Sequence, residues 1–149
     1  MDISTVPPEQ RSALSLLIDD HRAVQALFQR FDSASTQERQ AIATQACQQL
    51  TVHTQLEEEI FYPAIRGFSA ELDKLLDEAK DEHAEAKAII AKIQANSSEG
   101  LAENFKALVS GVEHHVEEEE GEMFPMVVSN AVPLEDVATK LRTRKGELA

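Results

Sequence analysis

The chain has 149 residues and a mass of 16.5 kDa, the size of one domain with a real core. Its 42% hydrophobic content excludes a disordered chain, and no apolar run reaches the length needed to span a bilayer. Against 14 basic residues stand 27 acidic ones, a net charge of −13, which argues against nucleic acid or an anionic membrane as an unaided partner.

One cysteine, Cys47, cannot form an intrachain disulfide, and no basic stretch followed by an apolar one opens the chain. Both point to a cytoplasmic protein. Five glycines and five prolines sit at joints between long stretches of helical periodicity.

The first predicted helix runs from near Pro8 to about Asp32, with Leu14, Leu17, Ile18, His21, Val24, Leu27, Phe28 and Phe31 on one stripe. Ser35 and Glu38 form a capping box that opens a second helix reaching about Arg66. Its inward stripe is Ala46, Leu50, His53, Leu56, Glu57, Ile60 and Phe61, and Gly67 ends it, with Ser69 as the next cap. A third helix carries Leu72, Leu75, Leu76, Ala79, His83, Ala86 and Ile90 and frays near Asn96. The loop from Asn96 to Gly100 offers several caps, Asn96 with Glu99 among them. A fourth helix carries Phe105, Leu108, Val112, His115, Met123 and Met126. Pro133 is read as the first helical position of a short fifth segment that ends in Lys140, Arg142, Arg144 and Lys145. Four long amphipathic helices with short connections predict an all-α, up-down-up-down bundle in a single domain, with the core bundle over about 9–130.

The chain repeats itself. His21 and His53 are 32 residues apart, as are His83 and His115, and a shift of 62 places the first pair on the second. The same shift lays Glu57 on Glu119, Pro63 on Pro125, Leu14 on Leu76 and Asp19 on Asp81 without a gap. One helical hairpin has been used twice, each copy supplying a lone histidine and a His-x-x-x-Glu pair.

Residues four apart share a helix face, so one imidazole and one carboxylate of each pair can reach the same ion. Two copies facing each other would bring together four imidazoles and two carboxylates. That is enough for two divalent ions, with His21, His53, His83 and His115 as terminal ligands and Glu57 and Glu119 as bridges. Taken singly, a His-x-x-x-Glu is usually an ordinary surface pair and a lone histidine on an apolar stripe a satisfied core residue. Taken together on inward stripes, where unpaired polar groups cost several kcal/mol, they favour metal. His114 falls on Val52 under the repeat and is read as a neighbour, the Glu117–Glu120 run as mostly a solvated face, and Cys47 as packing. Tyr62, one turn beyond Glu58, is a candidate radical or hydrogen-bonding group, but it aligns with Phe124, which points to packing.

These residues resemble the haemerythrin-like, or HHE cation-binding, family from about His21 to Pro125: a histidine, His-x-x-x-Glu with trailing Phe and Pro, a histidine, and a histidine followed by a carboxylate. The resemblance implies a bundle holding two non-haem iron ions, bridged by carboxylates and an oxo or hydroxo group, that meet O2, NO or peroxide. Oxygen-carrying members add a histidine where this chain has Lys87, and place their last carboxylate where it has Glu120, so Glu120 stands as an alternative to Glu119. With fewer imidazoles, sensing or oxidant reduction is favoured over carriage, and any weak oxidase-, peroxidase- or catalase-like turnover would be the metals' own. A regulatory module without turnover, or a structural zinc or manganese bundle, are the other readings. The fifth segment, read first as a cap, is the one place for a protein partner.

Overall fold

The computed structural model describes residues 1–96 and 98–149. A single 3-10 turn, Ile3–Thr5, precedes α1 (Pro8–Phe31); α2 (Thr36–Leu56) passes through a π-helical turn, Glu57–Phe61, into the short α3 (Tyr62–Ile65). Then come α4 (Ala70–Asn96), α5 (Leu101–Glu118), a second π turn (Glu119–Met123), α6 (Phe124–Ser129) and α7 (Glu135–Leu148). The described residues contain no strand. The fold is the expected helical bundle with a short extra helix at its C-terminal end.

Local chemistry sets the boundaries. The Ser35 side chain accepts from the Glu38 N–H while Glu38 reaches back to the Ser35 N–H, closing the capping box. Gly67 ends the α2–α3 rod in the left-handed region at φ +94°, and Ser69 caps α4 by accepting from the Leu72 N–H. The next helix starts at Leu101 with Gly100, in the left-handed region at φ +68°, as its cap and no side-chain cap, so the expected Asn96–Glu99 cap is not the one used.

One further expectation is corrected. Pro133 is not the first residue of the last helix, which begins two residues later after Leu134. The second and fourth helices run unbroken as expected, but each is interrupted in its α-helical bonding by one π turn. Pro63 and Pro125 lack the N–H that would bond the carbonyl four residues back, and their rings crowd it. The helix widens just ahead of each, so that the Tyr62 N–H bonds Glu57 O and the Phe124 N–H bonds Glu119 O, five residues back.

Helix α1 packs on α2, and α4 on α5, while α7 lies across α1 and α2. The apolar interior is divided in two. Leu14, Leu17, Phe61, Ile65, Leu72, Leu76 and Phe124 fill one lobe, which Leu134, Val137 and Leu141 complete. Val24, Phe28, Phe31, Leu50, Ile90, Phe105 and Leu108 fill the other. Gln10 ties the ends of the first lobe by donating to the carbonyls of Val127 and Val132. Between the lobes lies a layer of buried histidine and glutamate. No helix among the described residues is long and apolar enough to cross a membrane.

Candidate metal centre

The layer gathers all six expected residues. His21, His53, Glu57 and Glu119 place one donor atom each within 4.8 Å of one another, and Glu57, His83 and His115 do the same. Glu57 thus belongs to both groups. Its Oε1 is 3.3 Å from His53 Nε2, 3.1 Å from His83 Nε2 and 3.6 Å from His115 Nε2. Glu119 Oε1 lies 3.0 Å from His21 Nε2 and 3.2 Å from His115 Nε2, so it too spans the halves. Both carboxylates are 0% exposed. The π turns begin at these two glutamates, so each His-x-x-x-Glu keeps α-helical spacing and the widening falls after it.

Every ring points its Nε2 inward and its Nδ1 at a carboxylate on the outside. His21 pairs with Glu120 at 2.8 Å, His53 with Asp20 at 2.9 Å, His83 with Glu58 at 2.9 Å and His115 with Glu82 at 2.7 Å. A carboxylate at Nδ1 holds the proton there, fixes the ring and leaves Nε2 as a ligand lone pair. Asp20, Glu58 and Glu82 escaped the sequence reading, and Glu120 entered it only as an alternative to Glu119, though the repeat contains all four. A shift of 62 lays Asp20 on Glu82 and Glu58 on Glu120, each directly beside an inner residue.

The Glu117–Glu120 run is therefore not mostly a solvated face, since Glu119 and Glu120 are buried. Glu120 engages the outer nitrogen of His21 and the Arg22 guanidinium at 2.5 Å, not the inner cluster. Lys87 binds Glu58 at 2.8 Å, also outside. His114 is exposed and forms a surface group with Glu82 and Glu118.

Tyr62 is a second correction. Its hydroxyl donates to Glu119 Oε2 at 2.9 Å and lies 3.4 and 3.3 Å from the Nε2 atoms of His83 and His115. The repeat relates it to Phe124, a ring without a hydroxyl, which concealed this role. Cys47 is buried and packs as expected, and burial pushes its thiol up to about 11.

Burial and charge act against each other in this cluster. Burial by itself would lower the imidazole pKa values, but the carboxylates overcome it. The charge of Glu57 and the Asp20 hydrogen bond raise His53 to about 10, and His21 and His115 are also raised. Burial would raise Glu57, yet the His53 charge holds it well below the usual range. Burial, then the negative charges of Glu119 and Glu57, push Tyr62 well above the ordinary phenol value. Imidazolium and carboxylate thus pair within the buried layer.

The fit to metal rests on what remains unsatisfied. Among the described residues, His53 Nε2 and Glu57 Oε2 are buried side-chain atoms without a hydrogen-bond partner, and both belong to the inner cluster. Two inner-facing orphans in a nest of imidazole and carboxylate donors match an ion's needs. Beside the layer opens a cavity of about 390 Å³, lined by the four histidines together with Val24, Leu50, Val112 and Val116.

A helical bundle whose core is cut by such a histidine and carboxylate layer is a metal-binding bundle. The hemerythrin HHE cation-binding domain family matches residues 12–130. The chain belongs to that family. It is also 29% identical over 134 residues to a DNA nickase of Nostoc sp. (strain PCC 7120 / SAG 25.82 / UTEX 2576). That match takes in 87% of this chain but 38% of the relative, so this chain spans well under half the length of that protein. No solved structure matches.

Proposed function

We propose that the layer holds two non-haem iron ions and that the chain binds, senses or reduces O2 or a related small oxidant such as NO or peroxide. His21 and His53 would serve one ion, His83 and His115 the other, with Glu57 and Glu119 shared between them. The observation that carries this reading is the pair of orphaned buried donors, His53 Nε2 and Glu57 Oε2, inside a cluster whose outer nitrogens are all committed to carboxylates. Bound iron would supply the electrons for oxidant binding or reduction. The chain's own residues do the rest. Asp20, Glu58, Glu82 and Glu120 orient the imidazoles, Tyr62 keeps a proton at Glu119 Oε2, and the cavity beside the histidines offers room for a small ligand.

The net charge of −13 supports a protein that does not itself hold nucleic acid or an anionic membrane. The nicking named for the Nostoc relative is the weaker reading, because most of that protein lies outside the match. A single buried thiol suits the reducing cytoplasm.

The test is an optical spectrum of anaerobically reduced, iron-loaded protein before air, after air, and after oxygen is removed. Bands that come with air and leave on deoxygenation mean reversible binding. Bands that persist mean oxidation of the centre, and fit sensing or oxidant reduction. Protein that takes up iron but shows no oxygen-dependent band refutes the redox role and leaves a structural metal.

A further inference from the structure

The four outer carboxylates differ in what holds them from the solvent side. Glu120 has Arg22 and the Met1 ammonium, Glu58 has Lys87, and Glu82 has His114. The side chains of Arg22, Lys87 and His114 lie on α1, α4 or α5, within the span matched by the family. The fourth carboxylate, Asp20, is held by Lys145, whose Nζ donates to Asp20 Oδ1 at 2.5 Å while Asp20 Oδ2 accepts from His53 Nδ1 at 2.9 Å. Lys145 sits on α7, beyond the matched residues 12–130.

We infer that Lys145 is a positioning residue for the metal centre: through Asp20 it fixes the ring of His53, making α7 a working part of the centre and not only a cap on the bundle. The inference rests on the reading of His53 as a metal ligand.

Three observations carry it. The contact is continuous, cation to carboxylate to imidazole, with both carboxylate oxygens used. Asp20 has little else to steady it, being 13% exposed at its side chain and on the outer edge of α1. Helix α7 is also docked where this requires, since Val137, Ala138 and Leu141 are buried in the lobe nearest its start, and its far end reaches the cavity beside His53 through Lys145. The repeat sharpens the point. Asp20 corresponds to Glu82, whose partner His114 comes from the bundle itself, whereas the cationic side chain on the His53 arm comes from α7.

An exposed ion pair contributes little to stability. The effect expected here is on the geometry and exchange of one ring. The experiment uses full-length protein loaded with Co(II), whose unpaired electrons shift the Nδ1–H protons of ligated imidazoles out of the protein envelope in a proton NMR spectrum. Wild type should give four exchangeable shifted signals. Asp20→Asn identifies the His53 signal as the one it displaces. Lys145→Met should move that signal and speed its exchange with solvent several-fold, leaving the other three in place, and Lys145→Arg should restore it. Arg144→Gln is the control. It removes the neighbouring α7 pair to Glu59, which touches no carboxylate of the centre, and should leave all four signals alone.

Four signals unchanged in Lys145→Met, or a uniform shift of all four in both α7 variants, would overturn the positioning role while leaving the metal reading intact. Cobalt-treated wild type with no shifted exchangeable signals would overturn both.

Discussion

Removing metal should invert the pH dependence of stability. In the metal-free protein His53 holds its proton with a pKa near 10 against 6.5 for the ordinary side chain. A group that binds its proton more tightly when folded contributes in full below the lower value and loses that contribution as the pH climbs toward the higher. A rise of roughly 3.5 units corresponds to on the order of 5 kcal/mol lost between about pH 6.5 and 10, with His21 and His115 adding in the same direction. On the acid side Glu120, held at about 2 against 4.5, keeps its contribution above about pH 4.5 and gives it up toward pH 2. Chelated protein should therefore be most stable between about pH 4.5 and 6.5. Bound metal requires the same imidazoles to be neutral, so loaded protein should gain stability as the pH rises from 6 to 8. Urea unfolding followed by circular dichroism, with chelator and then with Zn(II), measures both slopes. A chelated protein whose stability is flat or rising from pH 6.5 to 9 would refute the account of imidazolium and carboxylate substituting for metal.

Glu57→Gln removes the carboxylate shared by both groups. It should drop bound metal below two ions by elemental analysis and, metal-free at pH 7, cost about 3–5 kcal/mol by leaving buried imidazolium unpaired. Tyr62→Phe should fold, since Phe124 already occupies the equivalent place in the other half. It should cost the metal-free protein about 1–3 kcal/mol by stripping Glu119 Oε2 of its donor, read in the same unfolding assay. Cys47, buried with its thiol pushed up to about 11, should resist thiol reagents at pH 8 until denaturant is added.

Much of this was legible because the chain states its design twice. The helices, the capping box and the six inner residues follow from apolar periodicity and the 62-residue shift. What the pattern hid is instructive. Tyr62 was masked by its apolar counterpart, because a symmetry argument predicts sameness and the site departs from it there. Asp20, Glu58 and Glu82 look like surface acids in a chain with 27 acidic residues, Glu120 reads as an alternative to Glu119, and only the direction of each Nδ1 places them. The π turns were encoded in Pro63 and Pro125, which are easily read as landmarks of the repeat and not as a backbone constraint. The reach of Lys145 to Asp20 spans 125 residues and depends on how α7 docks, which no local pattern carries.

The paired π turns also bear on ancestry. An extra residue inserted independently into two helices has no reason to fall at matching points, yet the turns Glu57–Phe61 and Glu119–Met123 coincide under the shift that aligns the histidines. The match is what a single hairpin, copied together with its proline and its widened turn, would leave. Such a hairpin, meeting a second molecule of itself about a twofold axis, would have assembled four imidazoles and two carboxylates without any fusion. Joining the copies in one chain then freed each half to diverge, which is what allowed a tyrosine to stand on one side of the axis and a phenylalanine on the other.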